Sequence, residues 1–174
     1  MTVELALLED FVEPASQMTN EEFLNSHSGV YLVAMGALDA DMAPQNDVNA
    51  QTSEMRLPLA RPRHNRSQSS LNGRLFVIRP ENDDSSILLG RQNSAELMIP
   101  DNSVSGNHAR LRICDRKSVY IQDLASKNGT SVNNTRISAE KETKLQDGDL
   151  LTFGRYSFQF FRPATLHAAL RLIR

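Results

Sequence analysis

The sequence predicts an all-β sandwich over residues 72–162, with helical segments at both ends of the chain. Three observations predict it. First, "GRLFVI", "SSILLG", "AELMI", "HARLRIC", "SVYIQDL", "TSVNN", "TKL", "DLLTFG" and "YSFQFF" follow one another closely, each closed by Gly, Asn, Asp or Pro nearby. Second, these runs are rich in β-branched and aromatic residues. Third, several alternate. Leu111 and Ile113 stand against Arg110 and Arg112, and Val119 and Ile121 against Tyr120 and Gln122. That is the period of a strand with one dry face and one wet face.

The elements before the sandwich read in order as helix, helix and strand. "MTVELALLEDFV" places Val3, Leu7, Leu8, Phe11 and Val12 at helical spacing, and Pro14 is expected to end that helix. Thr19 and Glu22 form a capping box ahead of Phe23 and Leu24. "GVYLVAMGAL" follows as a strand bounded by glycine. Residues 1–38 hold too few apolar side chains to make a core alone, so they are expected to be an appendage.

Residues 39–71 have the composition of a flexible linker containing Pro, Ser and Arg. "MRLPL" inside it is a candidate edge strand, since Pro58 forbids a central one. Arg56, Arg61, Arg63 and Arg66 make a basic tract. With no aromatic residues between them, they read as a solvated tether, with nucleic acid an unfavoured partner. After the sandwich, residues 163–174 regain helical spacing through Leu166, Leu170 and Ile173.

The 174 residues carry a net charge of −2, which argues against bulk electrostatic binding to nucleic acid or acidic membranes. One cysteine, Cys114, excludes an internal disulfide framework and a multi-cysteine zinc site. The apolar runs are too short to span a bilayer, and the acidic amino terminus does not resemble a signal peptide. A cytoplasmic protein without a membrane segment, metal or cofactor is therefore expected.

The stretch "NSVSGNHARL", residues 102–111, sets a hydroxyl, a glycine, an amide and an imidazole in one turn. As a Ser–His nucleophile pair it lacks a G-x-S-x-G elbow and an oxyanion hole. As a metal site it lacks partners, because His27, His64, His108 and His167 lie far apart. An enzyme is the least supported class. A donor-rich mouth for an anion fits the turn better.

Four motifs in order, "LLGRQ", "VSGNHARL", "DLASKNGTSVNN" and "LQDGDLLTFG", resemble the forkhead-associated (FHA) domain: Gly-Arg, Ser-x-x-His, Asn-Gly-Thr with a following Asn, and Gly-Asp before Phe-Gly. The resemblance covers residues 72–162 and implies a twisted sandwich of about eleven strands, whose loops at one end grip a phosphothreonine peptide. It assigns Arg91 and Ser105 to the phosphate and Asn128 to the peptide backbone. Gly106, Asn107 and Asn133 fall among the expected peptide-facing residues. Gly90, His108, Gly129 and Thr130 support the site, with His108 bracing the loops from below. Arg136 hints at an acidic residue downstream of the phosphothreonine.

One position departs from the family. The residue after the serine is commonly Arg, Lys or Asn and helps to hold phosphate; here it is Gly106. Lys127 is expected to offset the missing donor as a point charge on a flexible stem. The alternative reading is a phosphate-independent interaction scaffold with a degenerate pocket. The whole layout resembles small stand-alone bacterial FHA proteins. That implies an adaptor partnered with Ser/Thr kinases or their substrates, with linker residues Thr52, Ser67, Ser69 and Ser70 open to phosphorylation.

Overall fold

The computed structural model describes residues 1–37, 71, 73–114 and 118–173. The linker strand, the arginine tract and the four linker hydroxyls lie outside the described residues.

Among the described residues, twelve strands form two sheets. The first sheet has the order β1-β3-β2-β12-β11-β8-β9. Its members are β1 (Thr2–Leu7), β2 (Val30–Ala37), β3 (Arg74–Arg79), β8 (Thr130–Val132), β9 (Thr135–Arg136), β11 (Leu150–Phe153) and β12 (Tyr156–Phe161). The second sheet runs β10-β7-β6-β4-β5. It comprises β4 (Asp84–Gly90), β5 (Leu97–Met98), β6 (Ala109–Cys114), β7 (Ser118–Asp123) and β10 (Glu142–Lys144). Pairing is antiparallel except between β4 and β5.

The alternation read from the sequence is the burial pattern of the second sheet. Leu111 and Ile113 of β6, with Val119 and Ile121 of β7, are buried in the core between the sheets. Arg112 lies on the wet face, paired with Asp84 and Glu142.

β2 and β3 are apolar without alternation because both of their faces are covered. Val30, Leu32, Phe76 and Ile78 enter the core between the sheets. Tyr31, Val33, Leu75 and Val77 enter a second core on the outer face of the first sheet. Helices α1 (Glu9–Gln17), α2 (Asn20–Ser26) and α3 (Pro163–Leu170) roof that second core, with Ala15, Phe23, Leu166 and Leu170 buried in it. His167 of α3 is buried, and its Nε2–H donates to the carbonyls of Ala15 and Met18 at 3.1 and 3.2 Å, capping the end of α1. The capping box of α2 forms as expected, with Thr19 N to Glu22 Oε2 at 2.8 Å and Glu22 N to Thr19 Oγ1 at 3.3 Å.

Four expectations about the ends are corrected. Residues 2–7 are a strand and not the start of a helix. Val3, Leu5 and Leu7 also fit period two, and in that form their backbone pairs with β3 from Thr2↔Arg79 to Leu7↔Arg74. Pro14 does not end the helix but lies inside α1, where its missing N–H forgoes only a bond to the carbonyl of Asp10. The N-terminal piece is also more than an appendage: β2 sits inside the first sheet, hydrogen-bonded to β3 on one side and β12 on the other. The C-terminal helix stops at Leu170, short of the expected end.

Candidate functional site

Three loops meet at one end of the sandwich: the turn after β4, the long loop between β5 and β6, and the loop between β7 and β8. Strand pairing brings the first two together, since β4 and β6 are antiparallel with Leu89 opposite Ala109. The contact continues past the strands. Arg91 N donates to Ser105 O at 2.9 Å and Gln92 N to Gly106 O at 3.3 Å. Glycine is required at position 90, because a Cβ there would lie 1.9 Å from the Gly106 carbonyl oxygen.

The Arg91 guanidinium is exposed, and its Nη1 donates to Asn102 Oδ1 at 3.3 Å. That partner is neutral. Arg79, Arg112 and Arg155, in contrast, each lie against a carboxylate. Lys127 and Arg136, exposed near the same loops, have no carboxylate partner among the described residues.

Ser105 and His108 are wired to the third loop. Ser105 Oγ accepts the backbone N–H of Lys127 at 2.9 Å. The serine's own proton is then free to point elsewhere. His108 is fully buried. Its Nδ1 accepts the Ser105 N–H at 3.0 Å, so the proton sits on Nε2, which donates to Gly129 O at 3.2 Å. Burial pushes the imidazole pKa below its ordinary value, against the raising influence of the Gly129 carbonyl and the Asp123 charge. The ring is a neutral strut between two loops.

Below the third loop lies Asp123, a buried carboxylate at the end of β7. Its Oδ1 accepts Ser126 Oγ at 2.6 Å and Thr130 Oγ1 at 2.7 Å, and its Oδ2 accepts Ser126 N at 3.0 Å. Burial opposes its ionisation, but these donors outweigh burial and hold its pKa below the ordinary carboxylate range. The loop so fixed presents Asn128, whose Nδ2 donates to Ser103 O at 2.7 Å while its Oδ1 stays open. Gly129 has φ +79° and underlies the Arg136 side chain, with Arg136 Nε 2.5 Å from where a Cβ would be.

The middle loop is anchored from its far side. Ser103 N and Oγ donate to Asp101 Oδ1 at 2.8 and 2.6 Å. Arg155 grips Asp101 Oδ2 through Nε at 3.0 Å, and its own N–H donates to Ser103 Oγ at 3.0 Å.

Of the residues expected from the sequence, Arg91, Ser105, Gly106, Asn107, Lys127 and Asn128 come together on these three loops, supported by Gly90, His108, Gly129 and Thr130. Asn107 is exposed with its side-chain amide uncommitted. Asn133 belongs elsewhere. Its Nδ2 donates to Asp149 at 2.7 Å and its Oδ1 accepts Leu150 N at 2.9 Å. With Asn134 it forms the positive-φ turn of the β8–β9 hairpin, and its polar atoms hold that turn. Sequence reasoning missed Asp101, Ser103, Asp123, Ser126 and Arg155. The run "DLASKNGT" did hold a signal for two of them: an Asp three residues before a Ser is an Asx-type turn former.

The sandwich thus gathers three donor-bearing loops at one end. The chain carries an FHA domain: residues 87–154 match the family model for the FHA domain. It is 35% identical over 83 residues to the FHA domain-containing protein FhaA of Mycobacterium tuberculosis, covering 48% of this chain and 14% of that protein. It is 36% identical over 91 residues to an FHA domain-containing protein of Arabidopsis thaliana, covering 48% of this chain and 23% of that one. The chain thus spans less than a quarter of these relatives. Among solved structures, an FHA domain studied for its phosphothreonine-dependent interactions matches 52% of this chain and 85% of its own at 31% identity, with a TM-score of 0.45. Mycobacterium tuberculosis EmbR, solved with a low-affinity phosphopeptide, matches 87% of this chain and 28% of its own at 18% identity and a TM-score of 0.50, a likeness of fold alone.

Proposed function

We propose that this chain binds phosphothreonine peptides at the three-loop end of the sandwich and acts as a signalling adaptor for Ser/Thr kinases or their substrates in the cytoplasm. The observation that carries the reading is the pairing of Ser105 with Lys127. The hydroxyl already accepts the Lys127 N–H, so its remaining role toward an incoming group is to donate. It does so on the loop whose backbone is bonded to Arg91, a guanidinium that among the described residues is held by a neutral amide.

A phosphothreonine carries nearly two negative charges and three strong acceptor oxygens. Arg91 offers a planar fork of fixed charge, and Ser105 a hydroxyl donor from the neighbouring loop; both make charge-assisted bonds. Exchanging Asn102 for phosphate gains Arg91 an ionised partner. The open Oδ1 of Asn128 suits the N–H of a peptide backbone.

The test is a degenerate phosphothreonine-peptide library, matched to its unphosphorylated form, on the parent and on Arg91→Ala. The parent is expected to select phosphorylated peptides. Losing a phosphate-paired arginine is expected to cost about 2–5 kcal/mol, which abolishes useful micromolar binding. Equal affinity for both libraries would support the phosphate-independent scaffold instead.

A further inference from the structure

We propose that Gln92 is a ligand-contacting residue, supplying from the turn after β4 the donor that Gly106 lacks; the inference rests on the phosphopeptide reading of the same site. The geometry is specific. An ideal Cβ on Gly106 would lie 2.7 Å from Gln92 Cδ, 2.9 Å from Gln92 Nε2 and 3.0 Å from Gln92 Cγ. The head of the glutamine therefore fills the volume in which a side chain at position 106 would begin. Its amide lies about where the amide of an asparagine at 106 would start.

Nothing in the backbone asks for glycine at 106. Its φ is not positive, so the left-handed conformation that favours glycine is not what places glycine here. The neighbouring Gly90 is different, since it meets Gly106 backbone and cannot carry a Cβ. At 106 the obstacle is the flexible end of one side chain. Glycine at 106 and glutamine at 92 are thus two halves of one arrangement, in which the position's side chain is delivered by the adjacent segment. The backbone bond from Gln92 N to Gly106 O at 3.3 Å fixes the two residues side by side.

The chemistry follows from the side chain. The Gln92 side chain makes no hydrogen bond to another described residue, so its NH₂ group has two free donors. It is neutral and adds no charge beside Arg91. Of the two candidates to replace the missing donor, Gln92 lies against position 106 itself, whereas Lys127 stands on the third loop.

The experiment measures binding of phosphothreonine peptides selected from the degenerate library to the parent, Gln92→Ala, the double variant Gln92→Ala with Gly106→Asn, and Lys127→Ala. Gln92→Ala is expected to bind about tenfold more weakly, and the double variant to return to within about threefold of the parent. Urea midpoints stay level, because Gln92 is exposed. In NMR spectra of the parent, the Gln92 side-chain NH₂ signals move on adding the phosphorylated peptide and not the plain one. If the parent binds, Arg91→Ala does not, and Gln92→Ala matches the parent, the role of Gln92 is overturned while the phosphopeptide reading stands. A double variant no better than Gln92→Ala also overturns it. A parent that ignores phosphorylation overturns both.

Discussion

Gly90 and Gly106 approach so closely that a methyl on Gly90 would stand 1.9 Å from the Gly106 carbonyl oxygen, with the Ser105 carbonyl oxygen at 3.2 Å. Both obstacles are backbone, so Gly90→Ala must push the loops apart and stretch the Arg91–Ser105 and Gln92–Gly106 bonds. A destabilisation of about 3 kcal/mol is expected, with loss of peptide binding. Gly106→Ala meets only the Gln92 side chain and should stay within about 1 kcal/mol of the parent. Urea titration of the two variants checks the contrast.

His108 makes stability depend on pH. The folded protein holds the ring neutral and lowers its pKa below the ordinary 6.5, so the unfolded chain takes up a proton first. The contribution is complete above about pH 6.5 and is lost as the pH falls through the folded value. Urea midpoints at pH 7.5 and 5.5 should therefore differ, the lower pH giving the lower midpoint. His108→Ala removes this slope and leaves the Ser105 N–H and the Gly129 carbonyl without partners, at a cost of about 3 kcal/mol.

Asp123 governs a second, more acidic step. Its pKa is held below the ordinary 3.8, so its contribution is present above that value and is lost as pH falls through the folded one. Asp123→Asn would set an NH₂ group against donors from Ser126 and Thr130. A destabilisation of about 2–3 kcal/mol at neutral pH is expected, with a flatter acid limb below about pH 4. Thermal melts of parent and variant across pH 2–5 measure both effects.

The legible part of this molecule was the part in which neighbours in sequence share one environment. Leu111 and Ile113 alternate with arginines because one face of β6 is wet, and that pattern is visible in six residues. The Thr19–Glu22 box and the Gly-Arg and Ser-x-x-His motifs are equally local. What was missed depends on distant partners. "TVELAL" satisfies a helix or a strand, and only the free edge of β3, some seventy residues on, decides for the strand. Asp123 looks like any strand-end acid until the loop folds back over it. Asn133 looks like a peptide reader until Asp149 and Leu150 close on its two polar atoms.

The N-terminal piece carries the last prediction. β2 joins β3 to β12 in the middle of the first sheet, pairing Val30↔Ile78 through Val33↔Leu75 on one side and Phe161↔Tyr31 through Tyr156↔Ala37 on the other. Removing residues 1–37 takes away that strand and leaves the edges of β3 and β12 unpaired, both lined by apolar side chains. It also strips the roof from Leu75, Val77 and Phe161, which pack against Ala15, Phe23 and Tyr31. A fragment beginning at residue 71 contains the whole matched family region and all three site loops. It is nonetheless expected to aggregate, or to show no cooperative melt and poorly dispersed NMR amide signals, where the full chain melts in one step. Supplying residues 1–37 as a separate peptide should restore dispersion if strand pairing is the missing element. A fragment from 71 that folds and binds phosphopeptide like the full chain would show instead that the second core is dispensable, and β2 with it.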